Sequence, residues 1–222
     1  MNGLPLAESP DTVRERLRMV ELIERRGVAD PAVLAAMRRV PRHLFIPEPF
    51  LRGADPYGDH PAPIGRGQTI SQPYMVAYMS AVLELRPGEK VLEVGTGSGY
   101  QAAVLAELGA EVFTLEVVPE LAAHARRALD RAGYGRVRVR TGNGCRGWEE
   151  EAPFDAVLAA CAPERIPPAL GGQLREGGRM AIPVGSPAGE LLFCRRRGGR
   201  LECRREFGVV FVPMVDTEPP GA

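Results

Sequence analysis

The stretch Val91-Leu92-Glu93-Val94-Gly95-Thr96-Gly97-Ser98-Gly99 decides the fold. Its first half is an apolar, β-rich run, and its second half puts a glycine at every other position before a helical pattern begins at residue 100. A strand passing through such a turn into a helix lets backbone approach a ligand closely, because glycine has no Cβ and accepts positive φ. Downstream the same beat repeats: strand (90–94), helix (100–108), strand (111–115), helix (119–132), strand (137–140), strand (154–158), helix (167–174) and strand (179–183). β-rich runs alternating with helices predict an α/β fold with a doubly wound, mostly parallel sheet. The runs 191–195 and 201–207 flank Gly198-Gly199, and 209–213 is apolar, so the sheet is expected to close with antiparallel strands.

The glycine spacing narrows the ligand. A dinucleotide fingerprint reads GxGxxG, but here the sixth position is Tyr100 and the glycines read GxGxG behind the acidic Glu93. That pattern favours S-adenosylmethionine, which has no pyrophosphate to need the third glycine and whose aminoacyl end passes close to the loop backbone. Glu116 ends the second strand, where a carboxylate can accept both ribose hydroxyls. Gly142-Asn143-Gly144 follows the third strand, placed to meet an adenine edge. Each feature alone is common in proteins without a cofactor, but their order on successive strand ends points to one site.

Upstream, residues 11–26 space Val13, Leu17, Val20 and Ile23 as an amphipathic helix with Asp11 as N-cap and Gly27 as terminator. Asp30-Pro31 opens a second helix that Pro41 closes. Residues 41–73 carry seven prolines and four glycines, the composition of a long irregular loop, and loops of that length are uncommon unless functional. Pro73 then starts a helix. The expected organisation is one domain over 1–222: N-terminal helices and an active-site loop (1–72), a cofactor-binding core (73–215) and a disordered tail (216–222).

Composition removes several alternatives. Lys+Arg (28) equals Asp+Glu (28), so no global field draws the chain to nucleic acid or an anionic membrane. Lys90 is followed by Val91, which excludes a GK[ST] phosphate loop. Neither a membrane-spanning run nor a signal-peptide pattern is visible, so a cytoplasmic location is expected. The cysteines (Cys145, Cys161, Cys194, Cys203) form no CxxC pair, so reduced thiols and no metal site are expected. Cys161 reads as a small buried thiol, His43, His60 and His124 as structural or solvated, and Trp148 as loop packing. The arginines between 195 and 205 read as a charged hairpin guarding a sheet edge.

Three blocks carry a family resemblance running from about Val13 to Val215. They are Pro63-Ile64-Gly65-Arg66-Gly67-Gln68-Thr69-Ile70-Ser71-Gln72-Pro73-Tyr74-Met75, the glycine loop Leu92 to Tyr100, and the set Ala152-Pro153-Phe154-Asp155, Ala162-Pro163, Ile166-Pro167, Glu176-Gly177-Gly178-Arg179 and Ile182-Pro183-Val184-Gly185. Phe211-Val212-Pro213-Met214 is similar to the family's C-terminal strand. With these the chain resembles the protein-L-isoaspartate O-methyltransferases. The resemblance implies the seven-stranded sheet of class I S-adenosylmethionine-dependent methyltransferases, with an N-terminal helical extension. It implies methyl transfer to the free carboxylate of L-isoaspartyl, and often D-aspartyl, residues in damaged proteins and peptides, leaving S-adenosylhomocysteine. Ser71 matches the family's active-site serine. Cofactor contacts are expected from Gln68, Thr69, Ile70, Glu93, Gly95, Thr96, Gly97, Ser98, Gly99, Glu116, Val117, Asn143 and Gly144, and substrate contacts from Ile64, Thr69 and Ser71. No nucleic-acid, membrane or metal partner is expected, and a monomer is favoured.

The chemistry fits those residues. A carboxylate with a pKa near 4 is already ionised at neutral pH, so attack on a sulfonium methyl needs alignment and neutral donors instead of a general base. Ser71 could be such a donor, or it could be the N-cap of the helix that Pro73 opens. One departure stands out: the family usually has Asp where Asn143 stands, and Asn can still accept a hydrogen bond through its amide oxygen. Asn143-Gly144 is also prone to succinimide formation, so ageing at this site is a possibility raised by the sequence. Two other readings stay open here: the same fold acting on another acceptor, and a binding module without turnover.

Overall fold

A computed structural model describes residues 9–185 and 188–219. Two helices open the chain, α1 (Pro10–Arg25) and α2 (Pro31–Arg39). Ser9, not the expected Asp11, caps α1 by accepting the Thr12 N–H at 3.2 Å, and Asp11 lies in the first turn where its charge favours the helix dipole. Asp30 caps α2 through the N–H groups of Ala32 and Val33, as a residue before Pro at the first helical position can.

The proline-rich segment is more ordered than its composition suggests. It holds a 3-10 turn at Arg42–Phe45, the short α3 (Glu48–Leu51), and a small hairpin of β1 (Ala62–Gly65) and β2 (Gln68–Ile70). Arg66 (φ 55°) and Gly67 (φ 71°) make the hairpin turn. Arg42 is 1% exposed, donates from Nε to the Pro56 carbonyl at 2.9 Å and stacks over the Tyr100 ring, pinning the segment to the core. Helix α4 (Pro73–Val82) follows, apolar on most sides and buried.

The core is built from β3 (Lys90–Val94), α5 (Tyr100–Glu107), β4 (Glu111–Glu116), α6 (Pro119–Arg131), β5 (Arg138–Thr141), β6 (Phe154–Ala159), α7 (Pro168–Gly172), β7 (Leu174–Val184), β8 (Gly189–Arg197) and β9 (Arg200–Val209). The sheet order is β5-β4-β3-β6-β7-β8-β9, parallel from β5 to β7 and antiparallel for the last two. Because the chain winds outward from β3 in one direction and then from β6 in the other, loops leaving the carboxyl ends of β3 and β6 diverge, and a crevice opens between them. Side chains alternate between the faces: Val91, Val112, Ala156 and Leu158 join one apolar cluster, and Leu92, Phe113, Val157 and Ala159 the other.

Three further expectations need correction. β9 ends at Val209 and residues 209–213 do not form a further strand; instead Ala162 N–H donates to the Val212 carbonyl and Met214 N–H to the Ala162 carbonyl, each at 2.8 Å, and Pro213 between them has no N–H to extend a ladder. Residues 216–219 are not a disordered tail, since Asp216 bonds Asn143 and Glu218 pairs with Arg146 at 2.9 Å; residues 220–222 lie outside the described part. The cysteines are not all reduced: Cys194 and Cys203 are joined in a disulfide. The Gly198-Gly199 turn sets a register that places these two cysteines opposite each other on β8 and β9.

Several side chains sit as the sequence suggests. Trp148 packs edge-on against Phe113 at 5.5 Å, and Cys161 is buried. His43 bonds the Tyr57 hydroxyl and His124 the Phe45 carbonyl. The hairpin arginines find local partners, Arg205 with Glu190, Arg197 with Glu202 and Arg204 with Glu206, on strands at the sheet edge. No helix among the described residues is long and apolar enough to cross a membrane. Among those residues no group of three or more His, Cys, Asp or Glu could hold a metal ion.

Glu93 is a carboxyl buried within the sheet. It is wholly buried opposite Thr114, whose hydroxyl donates to Oε2, while Oε1 has no partner among the described residues. Burial pushes its pKa up to about 8, so the fold favours the neutral acid. A carboxyl raised from about 4.5 to about 8 carries no penalty below pH 4.5, destabilises the fold progressively between those values, and adds nothing further above them. Glu93→Gln removes the charge but keeps an acceptor for Thr114. Urea unfolding should show the variant gaining stability over the wild type as pH rises from 5 to 8.5, by roughly a few kcal/mol at the alkaline end. A gap that does not change with pH would show that Glu93 is ionised in the fold.

Candidate functional site

The site starts at the carboxyl end of β3. The N–H groups of Gly95 and Thr96 both donate to the Leu115 carbonyl, at 2.8 and 3.1 Å, which folds the loop back onto the end of β4. The next N–H, of Gly97, donates to Glu116 Oε2 at 2.7 Å. Gly95 and Gly97 sit at positive φ (89° and 51°), and a Cβ on Gly95 would meet Cys161 Sγ at 3.2 Å. The loop therefore presents backbone on both sides, as close approach of a ligand requires.

Glu116 closes the end of β4. Its carboxylate accepts Gly97 N–H on one oxygen and Val118 N–H at 3.0 Å on the other, leaving one lone pair on each. Burial raises its pKa, and the backbone donors of Val118 and Gly97 oppose that by stabilising the charge. Among the described residues it is the single carboxylate lining the cleft, so a pair of ligand hydroxyls would find both remaining lone pairs together. Gly144 forms the adjacent wall, where a Cβ would strike Val94 Cγ1 at 2.3 Å.

The cleft encloses about 950 Å³, part of it open to solvent. Opposite the glycine loop its wall is Gln68, Thr69, Ile70 and Ser71, delivered by β2 and the turn into α4. Ser71 is half-buried, and among the described residues its hydroxyl has no hydrogen-bond partner. The capping alternative for Ser71 fails on geometry: the N-cap is Gln72, and the Tyr74 N–H donates to Asp59 Oδ1 at 2.9 Å.

Of the residues expected from sequence, Gln68, Thr69, Ile70, Ser71, Gly95, Thr96, Gly97, Ser98, Glu116, Val117 and Gly144 line this cleft. Four lie behind its surface. Glu93 is buried in the sheet below the loop, connected to it through Thr114 and Thr96, whose hydroxyls are 2.6 Å apart. Gly99 opens α5 and packs towards α6, and Ile64 supports the loop from beneath, its Cδ1 3.5 Å from where a Gly97 Cβ would lie. Asn143 turns away: Nδ2 donates to Asp216 at 2.8 Å and Oδ1 accepts the Cys145 N–H at 2.9 Å. An amide tied at both ends and 5% exposed is a poor candidate for succinimide closure.

Sequence reasoning missed the far wall. Val212, Pro213, Met214 and Val215 close the cleft over Ala160 and Cys161, held by the bridge to Ala162. The signal was present in Pro213, which argues against a continuous strand. Burial raises the Cys161 thiol pKa, which keeps it protonated and excludes it as a nucleophile.

Comparison with known proteins places this geometry. The family profile of protein-L-isoaspartate(D-aspartate) O-methyltransferases matches residues 14–219. The protein-L-isoaspartate O-methyltransferase of Gloeobacter violaceus is 54% identical over 202 residues, covering 90% of this chain and 97% of that protein. The enzyme of the same name from Picosynechococcus is 50% identical over 204 residues, covering 91% of each. Among solved structures, a Plasmodium falciparum protein described as a protein-L-isoaspartate O-methyltransferase in complex with S-adenosyl-L-homocysteine superimposes with a TM-score of 0.79 at 26% identity, covering 91% of this chain and 99% of that one. By sequence over nearly its whole length and by fold, the chain belongs to the protein-L-isoaspartate(D-aspartate) O-methyltransferase family.

Proposed function

We propose that this chain repairs damaged proteins and peptides by transferring a methyl group from S-adenosylmethionine to the free carboxylate of L-isoaspartyl residues, and of D-aspartyl residues. The observation that carries the reading is the meeting of two elements at one cleft: the glycine loop at Gly95–Ser98, and Ser71, whose hydroxyl has no hydrogen-bond partner among the described residues. The residues fit the cofactor. The glycine loop at Gly95–Ser98 lines the cleft, Glu116 keeps a lone pair on each oxygen for ribose hydroxyls, and Gly144, packed against Val94, lines the wall beside them. When bound, the cofactor supplies an electrophilic methyl on a sulfonium centre.

The chain's own task is then to hold an already ionised acceptor in line. Ser71 Oγ donates to the carboxylate oxygen that does not react, leaving the other free to attack. Among the described residues no Lys, Arg or His lines the cleft, so none of them clamps the nucleophile and blunts it. Apolar groups of Ile70, Val76, Val212 and Met214 displace water from around it. The reading takes the chain as a monomer, and as one without nucleic-acid partners because its net charge is zero and Arg197 and Arg205 of the hairpin are paired with glutamates.

Methyl transfer from labelled S-adenosylmethionine to a peptide with one isoaspartate should exceed transfer to the normal aspartyl peptide by orders of magnitude. Equal labelling of the two, or of neither, refutes the repair reading. Ser71→Ala should lower kcat by about 10- to 100-fold, as loss of a transition-state donor does, with cofactor affinity unchanged. Glu116→Ala should do the reverse, weakening cofactor binding by roughly 10-fold or more in calorimetry. A Ser71→Ala enzyme with full turnover would remove Ser71 from the mechanism.

A further inference from the structure

Asp59 lies in the loop before β1, outside the cleft, yet three donors from two separate parts of the chain converge on it. The Tyr74 N–H donates to Oδ1 at 2.9 Å, Gln72 Nε2 donates to Oδ2 at 3.2 Å and to the Asp59 carbonyl at 2.9 Å, and the Arg26 guanidinium pairs with Oδ2. The Asp59 side chain is 6% exposed, while that of Arg26 is 43% exposed and lies over the Tyr74 ring. The loop that presents it is itself fixed by Arg42 on the Pro56 carbonyl and by Asp55 on the Tyr57 N–H.

The residues that Asp59 holds flank Ser71. A helix leaves its first N–H groups without partners, and the usual remedy is a Ser, Thr, Asp or Asn side chain just before it. Helix α4 has Gln72 at its N-cap, with no side-chain cap bond from that residue. The nearest local hydroxyl is Ser71, three residues before Tyr74, the spacing at which a serine caps a helix. We infer that Asp59 is a positioning residue for methyl transfer: by capping α4 from a distant loop it keeps the Ser71 hydroxyl out of the helix and available to the acceptor carboxylate. Arg26 and Gln72 hold the carboxylate in place for that bond.

The inference rests on Ser71 acting as the acceptor's donor, and a double-mutant cycle separates the two claims. Asp59→Ala should lower kcat by roughly 10-fold, with S-adenosylhomocysteine affinity by calorimetry unchanged, and the same change made in Ser71→Ala should cost less than about twofold. Asp59→Asn, which keeps an oxygen for the Tyr74 N–H, should restore most of the turnover. So should Asp59→Ala/Gln72→Asp, in which a local carboxylate takes over the cap; this variant also serves if Asp59→Ala alone does not fold. Equal slowing by Asp59→Ala in both backgrounds would make Asp59 merely structural and overturn the inference, as would failure of both rescues. Full turnover in Ser71→Ala would instead refute the role of Ser71 itself, a result distinct from additivity.

Discussion

The Leu115 carbonyl accepts two consecutive N–H groups, from Gly95 and Thr96, and the site depends on this folding back of the glycine loop. Without it the chain leaving β3 would continue outward, and the crevice between the diverging loops of β3 and β6 would have no floor. The pinning also carries Gly97 N–H onto Glu116, so the carboxylate that orders the loop is the same one that faces the cleft. The alternation of faces beneath it, with Glu93 and Thr114 paired across β3 and β4, gives the loop a rigid platform, because hydrogen-bonded buried groups tolerate little displacement.

The acceptor side is built by the opposite strategy. Its wall at Gln68–Ser71 comes from a hairpin and a turn, elements that hold little shape by themselves. They are fixed from outside by long-range polar contacts: Arg42 on Pro56, and Asp59 on Gln72 and Tyr74. The third wall, Val212–Val215, is held in the same way by Ala162, by Asn143 on Asp216 and by Arg146 on Glu218. One side of the cleft is thus rigid through regular sheet geometry, and the others through specific side chains that single substitutions can test.

That division explains what could be read from the sequence. The strands and helices of the core were legible to within a few residues, because hydrophobic period and glycine spacing are local signals, and the winding of the sheet followed from their order. Ser71 and Glu116 were legible because motif and strand-end position identify them. The exceptions are residues whose partners lie far along the chain: Asp59 capping α4, Asp216 occupying Asn143, and Ala162 drawing in Val212 and Met214. The disulfide is an intermediate case, since pairing across Gly198-Gly199 places Cys194 and Cys203 opposite each other, but spacing alone does not show it.

A crystal structure of the chain with S-adenosylhomocysteine and an isoaspartyl peptide tests the central claim directly, that the glycine loop and the Ser71 wall hold donor and acceptor in one cleft. The account requires the ribose hydroxyls on Glu116, and the isoaspartyl carboxylate within hydrogen-bond distance of Ser71 Oγ while Tyr74 N–H stays on Asp59. A carboxylate bound elsewhere, or a Ser71 hydroxyl turned back onto α4 in the complex, would contradict it.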